Sequence, residues 1–346
     1  MIDKFQSAVL VKQNQDLKIL NTKLPKELEK GQVLVKVLSA SICGAQIGEI
    51  EGRKGKDKWL PHCMGHEGYG LVISKNKYVK NVNINDHVIM HWRKGVGINA
   101  DGAKYNSDIG IINAGQVTTF QEYSVVSENR LTKIKSVKKL SDIMPLLGCA
   151  IPTSWGLLIN EAKFTKKDSL LIFGAGGLGV TTGLIANIMG CKNVLLIDKF
   201  SSKNKLLKNL NIKFLELNKF IKLKKNKFSL VIDTTGSTSI MSQAFNHVDK
   251  NGKLVFVGQP KKNTILKIID PIKLFNQPND NIKIISSDGG LFIPNLHMKI
   301  IYNLLIKNYK RFKKLITHVV SLNDINKGID MIKKGKAIRV CIKFKN

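Results

Sequence analysis

Residues 174–179 read Gly174-Ala-Gly176-Gly177-Leu178-Gly179 and follow directly on the apolar run Leu170-Leu-Ile-Phe173. A G-x-G-x-x-G between a strand and a helix has a defined job at each glycine. The first permits a tight turn, the second admits a pyrophosphate to the backbone, and the third packs helix against strand. The helix that follows offers free N–H groups and its positive dipole end to phosphate. A structural Gly-rich turn produces the same pattern often enough that a second signal is required. Asp198 supplies it. It closes the next apolar run, Val194-Leu-Leu-Ile197, 19 residues after Gly179, where a carboxylate can take both hydroxyls of an adenosine ribose. The same charge repels a 2′-phosphate, so NAD is expected over NADP, with Lys199 and Lys203 near enough to soften the preference.

The surroundings fit an α/β sheet. Buried-strand candidates recur at Leu170–173, Val194–197, Leu230–232 and Leu254–257, separated by helix-length segments, the rhythm of a doubly wound parallel sheet. The first ~145 residues differ: short β-rich runs at 33–38, 70–73 and 87–90 alternate with Gly, Asn and Asp turn signals. Residues 146–160 read as helical, as do 298–309, and 339–344 read as a last strand. A chain of 346 residues exceeds what one core usually supports, so two domains are expected. One comprises 1–150 with 290–346, and the other is 151–289.

The formal charge of +31 raises the question of nucleic acid. Only five of the 56 basic residues are arginine, and the lysines are dispersed, including a dense run from Lys199 to Lys227 that reads as a solvated face. Binding grooves use clustered arginine and aromatic residues, so no nucleic-acid role is expected. Residues 169–190 are apolar but carry six glycines, which fits a strand–turn–helix and not a membrane span. Five cysteines without a pairing pattern, and a start lacking an apolar signal core, lead us to expect a cytoplasmic protein.

Four residues carry possible metal chemistry: Cys43 in Ser41-Ile-Cys43-Gly44, His66 and Glu67 in Gly65-His66-Glu67-Gly68, and Cys149 in Leu147-Gly148-Cys149. Two thiolates and an imidazole form a three-donor zinc set with one position open. Taken singly, each would more often be a buried Cys or a packed His. Their motifs, however, resemble the zinc signatures of the medium-chain dehydrogenase/reductase family. The segment Leu147-Gly-Cys149-Ala-Ile-Pro-Thr153-Ser-Trp-Gly156, followed by the glycine motif, is similar to the third-ligand segment of its zinc alcohol dehydrogenases. Gly335-Lys-Ala-Ile-Arg339 resembles the family's C-terminal signature, and the match runs over nearly the whole chain in the family's order.

The resemblance implies a Rossmann domain, a doubly wound parallel α/β sheet, inserted in a GroES-like β-rich catalytic domain, with the active site in a cleft between them. It implies one catalytic zinc per subunit on Cys43, His66 and Cys149, with Glu67 behind the metal as a transient ligand. Thr153 would contact the nicotinamide, Asp198 and Lys203 would hold the adenosine ribose, and Arg339 would reach the cofactor phosphates. The expected reaction passes a hydride between NAD(H) and a secondary alcohol, a polyol or the matching carbonyl. A homodimer or homotetramer is expected. The alternatives are an NAD(P)H-dependent reductase of a sugar phosphate or nucleotide-linked sugar, and a catalytically silent nucleotide-binding protein.

Three departures from the family pattern bear on this. Ala45 stands where a proton-relaying Ser or Thr is usual, Gln46 where an Asp braces the zinc histidine, and Gly48 where a relay histidine is common. That leaves water, a substrate hydroxyl or His91 to carry the proton. Residues 91–119 hold no cysteine, so no structural zinc is expected. In His91-Trp92-Arg93-Lys94, the residues His91, Trp92 and Arg93 are candidates, with Ala45, for a polar, basic substrate pocket. A loop with surface charges and one packed tryptophan accounts for that stretch equally well.

Overall fold

A computed structural model describes residues 4–223, 226–267 and 281–344. The chain divides into two compact units, 1–152 with 293–346, and 153–292.

The first unit is built on antiparallel pairing. Strands Phe5–Leu10, Lys18–Lys23, Lys104–Ser107, Gly110–Asn113 and His62–Cys63 close a small barrel. A seven-stranded sheet runs Leu131–Lys133, His87–His91, Glu67–Lys75, Gln32–Ser41, Arg339–Lys343 and Ile316–Val320, with Tyr123–Ser127 also paired to Gln32–Ser41. Val33, Val35 and Val37 alternate inward at 0% exposure and pack on Val72, Val88 and Val126. The strand is covered on its other face too: Leu34 is 8% exposed and belongs to a second cluster with Phe5, Val9 and Val125.

The register brings three distant segments to one place. Ala40 lies opposite Gly68, and Cys341 lies opposite Ser41. Strand Gln32–Ser41 therefore ends beside the start of Glu67–Lys75 and the start of Arg339–Lys343.

The second unit is a six-stranded parallel sheet in the order Lys213–Glu216, Asn193–Asp198, Ser169–Phe173, Phe228–Asp233, Val248–Phe256 and Lys283–Ser286. Strand Ser169–Phe173 is central, and the chain winds from it first to one side and then to the other. The order reverses at its C-terminal end, where Gly174 begins the turn, and open α/β sheets bind ligands at such a reversal. Leu170, Leu171 and Ile172 are 0% exposed, as expected of a strand covered on both faces.

Two sequence expectations change. Strand Lys213–Glu216 lies within the lysine-rich stretch read as a solvated face; it is a short edge strand whose side chains are partly exposed, so it lacks the apolar signature of a central strand. Lys224 and Lys225 of that stretch lie outside the described residues. Within 146–160, only Ala150–Gly156 is α-helix, entered through a 3-10 turn at Met144–Gly148 and followed by a π-helical turn at Leu157–Glu161. Strand Val248–Phe256 is paired on both sides, and Lys283–Ser286 takes the edge of the sheet.

Candidate metal centre and nucleotide turn

Cys43 leaves strand Gln32–Ser41 and caps the helix Gly44–Ile50. His66 immediately precedes strand Glu67–Lys75, and Cys149 sits between the 3-10 turn and the helix Ala150–Gly156. Glycine sets the approach. Gly65 has φ +95°, which other residues rarely adopt. At Gly148 a Cβ would fall 2.7 Å from the Glu67 Cα, so only glycine lets the Cys149 segment lie against that strand.

The two sulfurs and a ring nitrogen of His66 all lie within 4.8 Å of one another, with the Sγ atoms 4.0 Å apart. That separation is about twice a disulfide bond, and all five cysteines are free. The Cys149 thiol beside it holds Cys43 well below the usual thiol range, against the opposing effect of burial. Cys149 is pushed well above it by the same contact and by burial. Burial pulls the His66 imidazole down, but the neighbouring Cys43 outweighs this and holds it above its ordinary value.

His66 Nε2 is buried with no hydrogen-bond partner, while Nδ1 meets the side-chain amide of Gln46. An orphaned buried ring nitrogen is costly unless something fills the position. Two thiolates and that nitrogen fit a zinc ion with one coordination position left open.

Behind the centre, Glu67 is 0% exposed and is held on both oxygens. Oε1 accepts from Arg339 Nη1 at 2.8 Å and Oε2 from the Ala150 backbone N–H at 3.2 Å. Burial pushes the Glu67 carboxyl up to about 7, even with the Arg339 charge opposing it. Arg339 is 2% exposed. Nη1 is on Glu67 while Nε is buried without a hydrogen-bond partner, and burial leaves the guanidinium little surface for the phosphate contact that the resemblance implies.

His91 also differs from expectation. It is 0% exposed, with Nδ1 on the Arg93 carbonyl at 2.7 Å and Nε2 on Thr132 Oγ1 at 2.9 Å. Burial pushes it down to about 4, so it is a neutral, packed residue and not a proton carrier or pocket wall. Trp92 and Arg93 are half-buried, with the guanidinium carbon 5.4 Å from the ring centroid. Ala45 is exposed.

In the second unit, Gly174 takes φ +96°, and Gly176 has open space where a Cβ would stand, as a backbone approached by a ligand requires. Gly177, Leu178 and Gly179 open the helix Gly177–Ile188. Asp198 ends its strand with Oδ2 accepting from the Ala175 N–H at 2.7 Å and Oδ1 from the Phe200 N–H at 3.0 Å. Lys203 Nζ lies 3.3 Å from Oδ2 and is 4% exposed as a residue. The carboxylate thus ties the strand end to the glycine turn. Thr153, on helix Ala150–Gly156, is 7% exposed.

Comparison with known proteins agrees with this arrangement. The profile of the alcohol dehydrogenase GroES-like domain matches residues 29–136, and that of the zinc-binding dehydrogenases matches 177–297, together more than half of the chain. Alcohol dehydrogenase 1 of Pisum sativum is 27% identical over 357 residues, covering 91% of each chain. An alcohol dehydrogenase of Malus domestica is 26% identical, again over 91% of each. Among solved structures, benzyl alcohol dehydrogenase from Acinetobacter calcoaceticus superposes with a TM-score of 0.84 at 22% identity, over 99% of this chain and 100% of that one. An alcohol dehydrogenase from E. coli CFT073 in complex with NADH gives 0.77 at 20% identity, over 99% and 100%. No helix among the described residues is long and apolar enough to cross a membrane.

Proposed function

Because the chain belongs to the zinc-type alcohol dehydrogenases of the medium-chain dehydrogenase/reductase family, we propose that it moves a hydride between NAD(H) and a secondary alcohol or polyol, or the matching carbonyl. The observation that carries this reading is the convergence of Cys43, Cys149 and the unpartnered Nε2 of His66. These three residues would hold one catalytic zinc per subunit, with no four-cysteine structural zinc beside it.

Zinc bound there supplies Lewis acidity toward an alcohol or carbonyl oxygen. The nicotinamide supplies the hydride chemistry, which is the cofactor's own. The chain's residues do the rest. Gln46 stands against Nδ1 of the His66 ring, and Glu67 places a buried carboxylate behind the thiols while Arg339 holds it in position. The glycine turn presents the N-terminus of helix Gly177–Ile188 to the cofactor diphosphate. Asp198 reads the adenosine ribose and favours NAD, and Lys203 beside it moderates that preference. Thr153 contacts the nicotinamide.

No side-chain hydroxyl stands at position 45, and Gly48 offers no imidazole. With His91 sealed and neutral, the alcohol proton leaves through water, which exposed Ala45 does not obstruct. Arg93, half-buried over Trp92, supports a sugar-like or anionic substrate as a second reading.

The test is metal analysis joined to a panel of alcohols, polyols and sugar phosphates assayed with NAD and NADP. Purified protein is expected to carry about one zinc, and Cys149→Ala to lose both zinc and activity. Protein with less than about half an equivalent of zinc and no turnover would favour a silent nucleotide-binding role.

A further inference from the structure

A second turn stands beside the glycine motif in the second unit, at the end of the neighbouring strand Phe228–Asp233. Phe173 lies opposite Asp233 in the register, so the two strands finish level. Asp233 is 0% exposed and gives its carboxylate to its own turn. Oδ1 accepts the Thr235 N–H at 3.1 Å and the Thr235 hydroxyl at 2.6 Å, and Oδ2 accepts the Gly236 N–H at 3.1 Å. Gly236 takes φ +66°, and a Cβ on Gly258 would run into the Gly236 nitrogen, so a third segment presses on this turn. Thr234 therefore projects from backbone that is already fixed.

Its hydroxyl meets one peptide plane of the glycine motif. Thr234 Oγ1 lies 2.9 Å from the Phe173 carbonyl oxygen and 3.2 Å from that of Gly174. A Cβ on Gly174 would collide with that Oγ1, and a Cβ on Gly179 would collide with the Gly174 carbonyl oxygen. The carbonyl is thus confined between a hydroxyl and the start of the helix Gly177–Ile188. The Gly174 C=O and the Ala175 N–H belong to one planar unit and point to opposite sides. Asp198 Oδ2 accepts that N–H at 2.7 Å. One peptide plane is gripped at both ends, from the two strands that flank Ser169–Phe173.

Closing the strand end does not require the hydroxyl, because the Phe173 carbonyl also accepts the Thr234 N–H at 2.9 Å. The Gly174 peptide has more need of it. A turn built on glycine loses more conformational freedom when it orders around a ligand than any other, unless something outside holds it. Holding it beforehand lowers the cost of binding.

We propose that Thr234 is a positioning residue for the coenzyme: its hydroxyl fixes the tilt of the Gly174–Ala175 peptide, and with it the aim of the Gly176 backbone and of Asp198. The proposal rests on the reading of the glycine turn as a diphosphate site and of Asp198 as the ribose contact.

The test is binding, not turnover. NADH is titrated into zinc-loaded, full-length protein and followed by the fluorescence of its reduced nicotinamide. Thr234→Val keeps the branched shape and removes the hydroxyl, so Kd should rise about threefold to tenfold, the worth of one neutral hydrogen bond. Thr234→Ser keeps the hydroxyl and should stay within about twofold of the natural chain. ADP-ribose, measured by calorimetry, should weaken by the same factor as NADH in Thr234→Val, because the defect lies at the diphosphate and ribose. Zinc content should not change, since Cys43, His66 and Cys149 belong to the other unit. A lower Tm with an unchanged Kd in Thr234→Val would reduce Thr234 to a brace of its own strand end and overturn the proposal. Equal weakening in Thr234→Ser and Thr234→Val would overturn it too, by assigning the effect to packing and not to the hydroxyl. A natural chain that binds neither NADH nor NADPH would overturn the coenzyme reading itself, and this proposal with it.

Discussion

Gln46 divides its amide between two demands: Oε1 accepts the Cys43 backbone N–H at 3.1 Å, and Nε2 meets Nδ1 of His66. For His66 Nε2 to ligate a metal, the ring proton must sit on Nδ1 and find an acceptor. The amide has a single oxygen. Turning it toward His66 strips the Cys43 N–H, and leaving it in place sets two donors against each other. A carboxylate at position 46 would serve both. Gln46→Glu is therefore expected to bind zinc about tenfold or more tightly than the natural chain, read by competition against a chromophoric chelator. Equal or weaker retention would show that the amide is not a handicap.

The Arg339–Glu67 pair is almost wholly removed from water, with side-chain exposures of 2% and 0%. Removing one partner of such a pair strands the other charge. Arg339→Met should cost about 3–5 kcal/mol in denaturant unfolding. Adding Glu67→Gln should recover part of that loss, because the stranded carboxylate is then gone. A single-variant cost below about 1 kcal/mol, the range of exposed pairs, would show that the pair does not brace the centre.

His91 gives a pH signature. Its ordinary value is 6.5, and burial pushes it down to about 4 in the fold. The folded chain holds the neutral ring, so its contribution is complete above pH 6.5 and is lost as pH falls toward 4, where the unfolded chain alone takes the proton. The window is worth about 3 kcal/mol. Unfolding free energies measured from pH 7 to 4 should fall by that much more in the natural chain than in His91→Gln. Parallel curves for the two proteins would remove His91 as the cause.

What the sequence discloses follows burial. Strand Ser169–Phe173 is covered on both faces and announces itself as a continuous apolar run, and Gly174 and Gly179 follow at fixed offsets because backbone contacts demand them. Strand Lys213–Glu216 carries no such run, since an edge strand has less to hide. Glu67 and Arg339 meet across 272 positions, and no local pattern encodes a pairing made by sheet register. His91 misleads because a histidine in a polar tetrapeptide reads as exposed, whereas it ends an inner strand with both nitrogens satisfied.

Coenzyme choice rests on Asp198, which already accepts the Ala175 N–H at 2.7 Å and faces Lys203 at 3.3 Å. Its remaining lone pairs are those a ribose diol would use, and its charge is what a 2′-phosphate would meet. Asp198→Asn removes the charge and weakens acceptance from the diol. The ratio of kcat/KM for NAD over NADP should fall by roughly tenfold to a hundredfold, the worth of one hydrogen bond to a charged group. Lys203→Met makes the opposite change, since it leaves the carboxylate uncompensated and sharpens repulsion of the phosphate, so the same ratio should rise. The pair of variants separates a charge effect from damage to the glycine turn. Damage would lower kcat/KM for both coenzymes alike, whereas a charge effect moves the ratio in opposite directions in the two proteins. If both variants shift it the same way, Asp198 holds the turn and does not read the ribose.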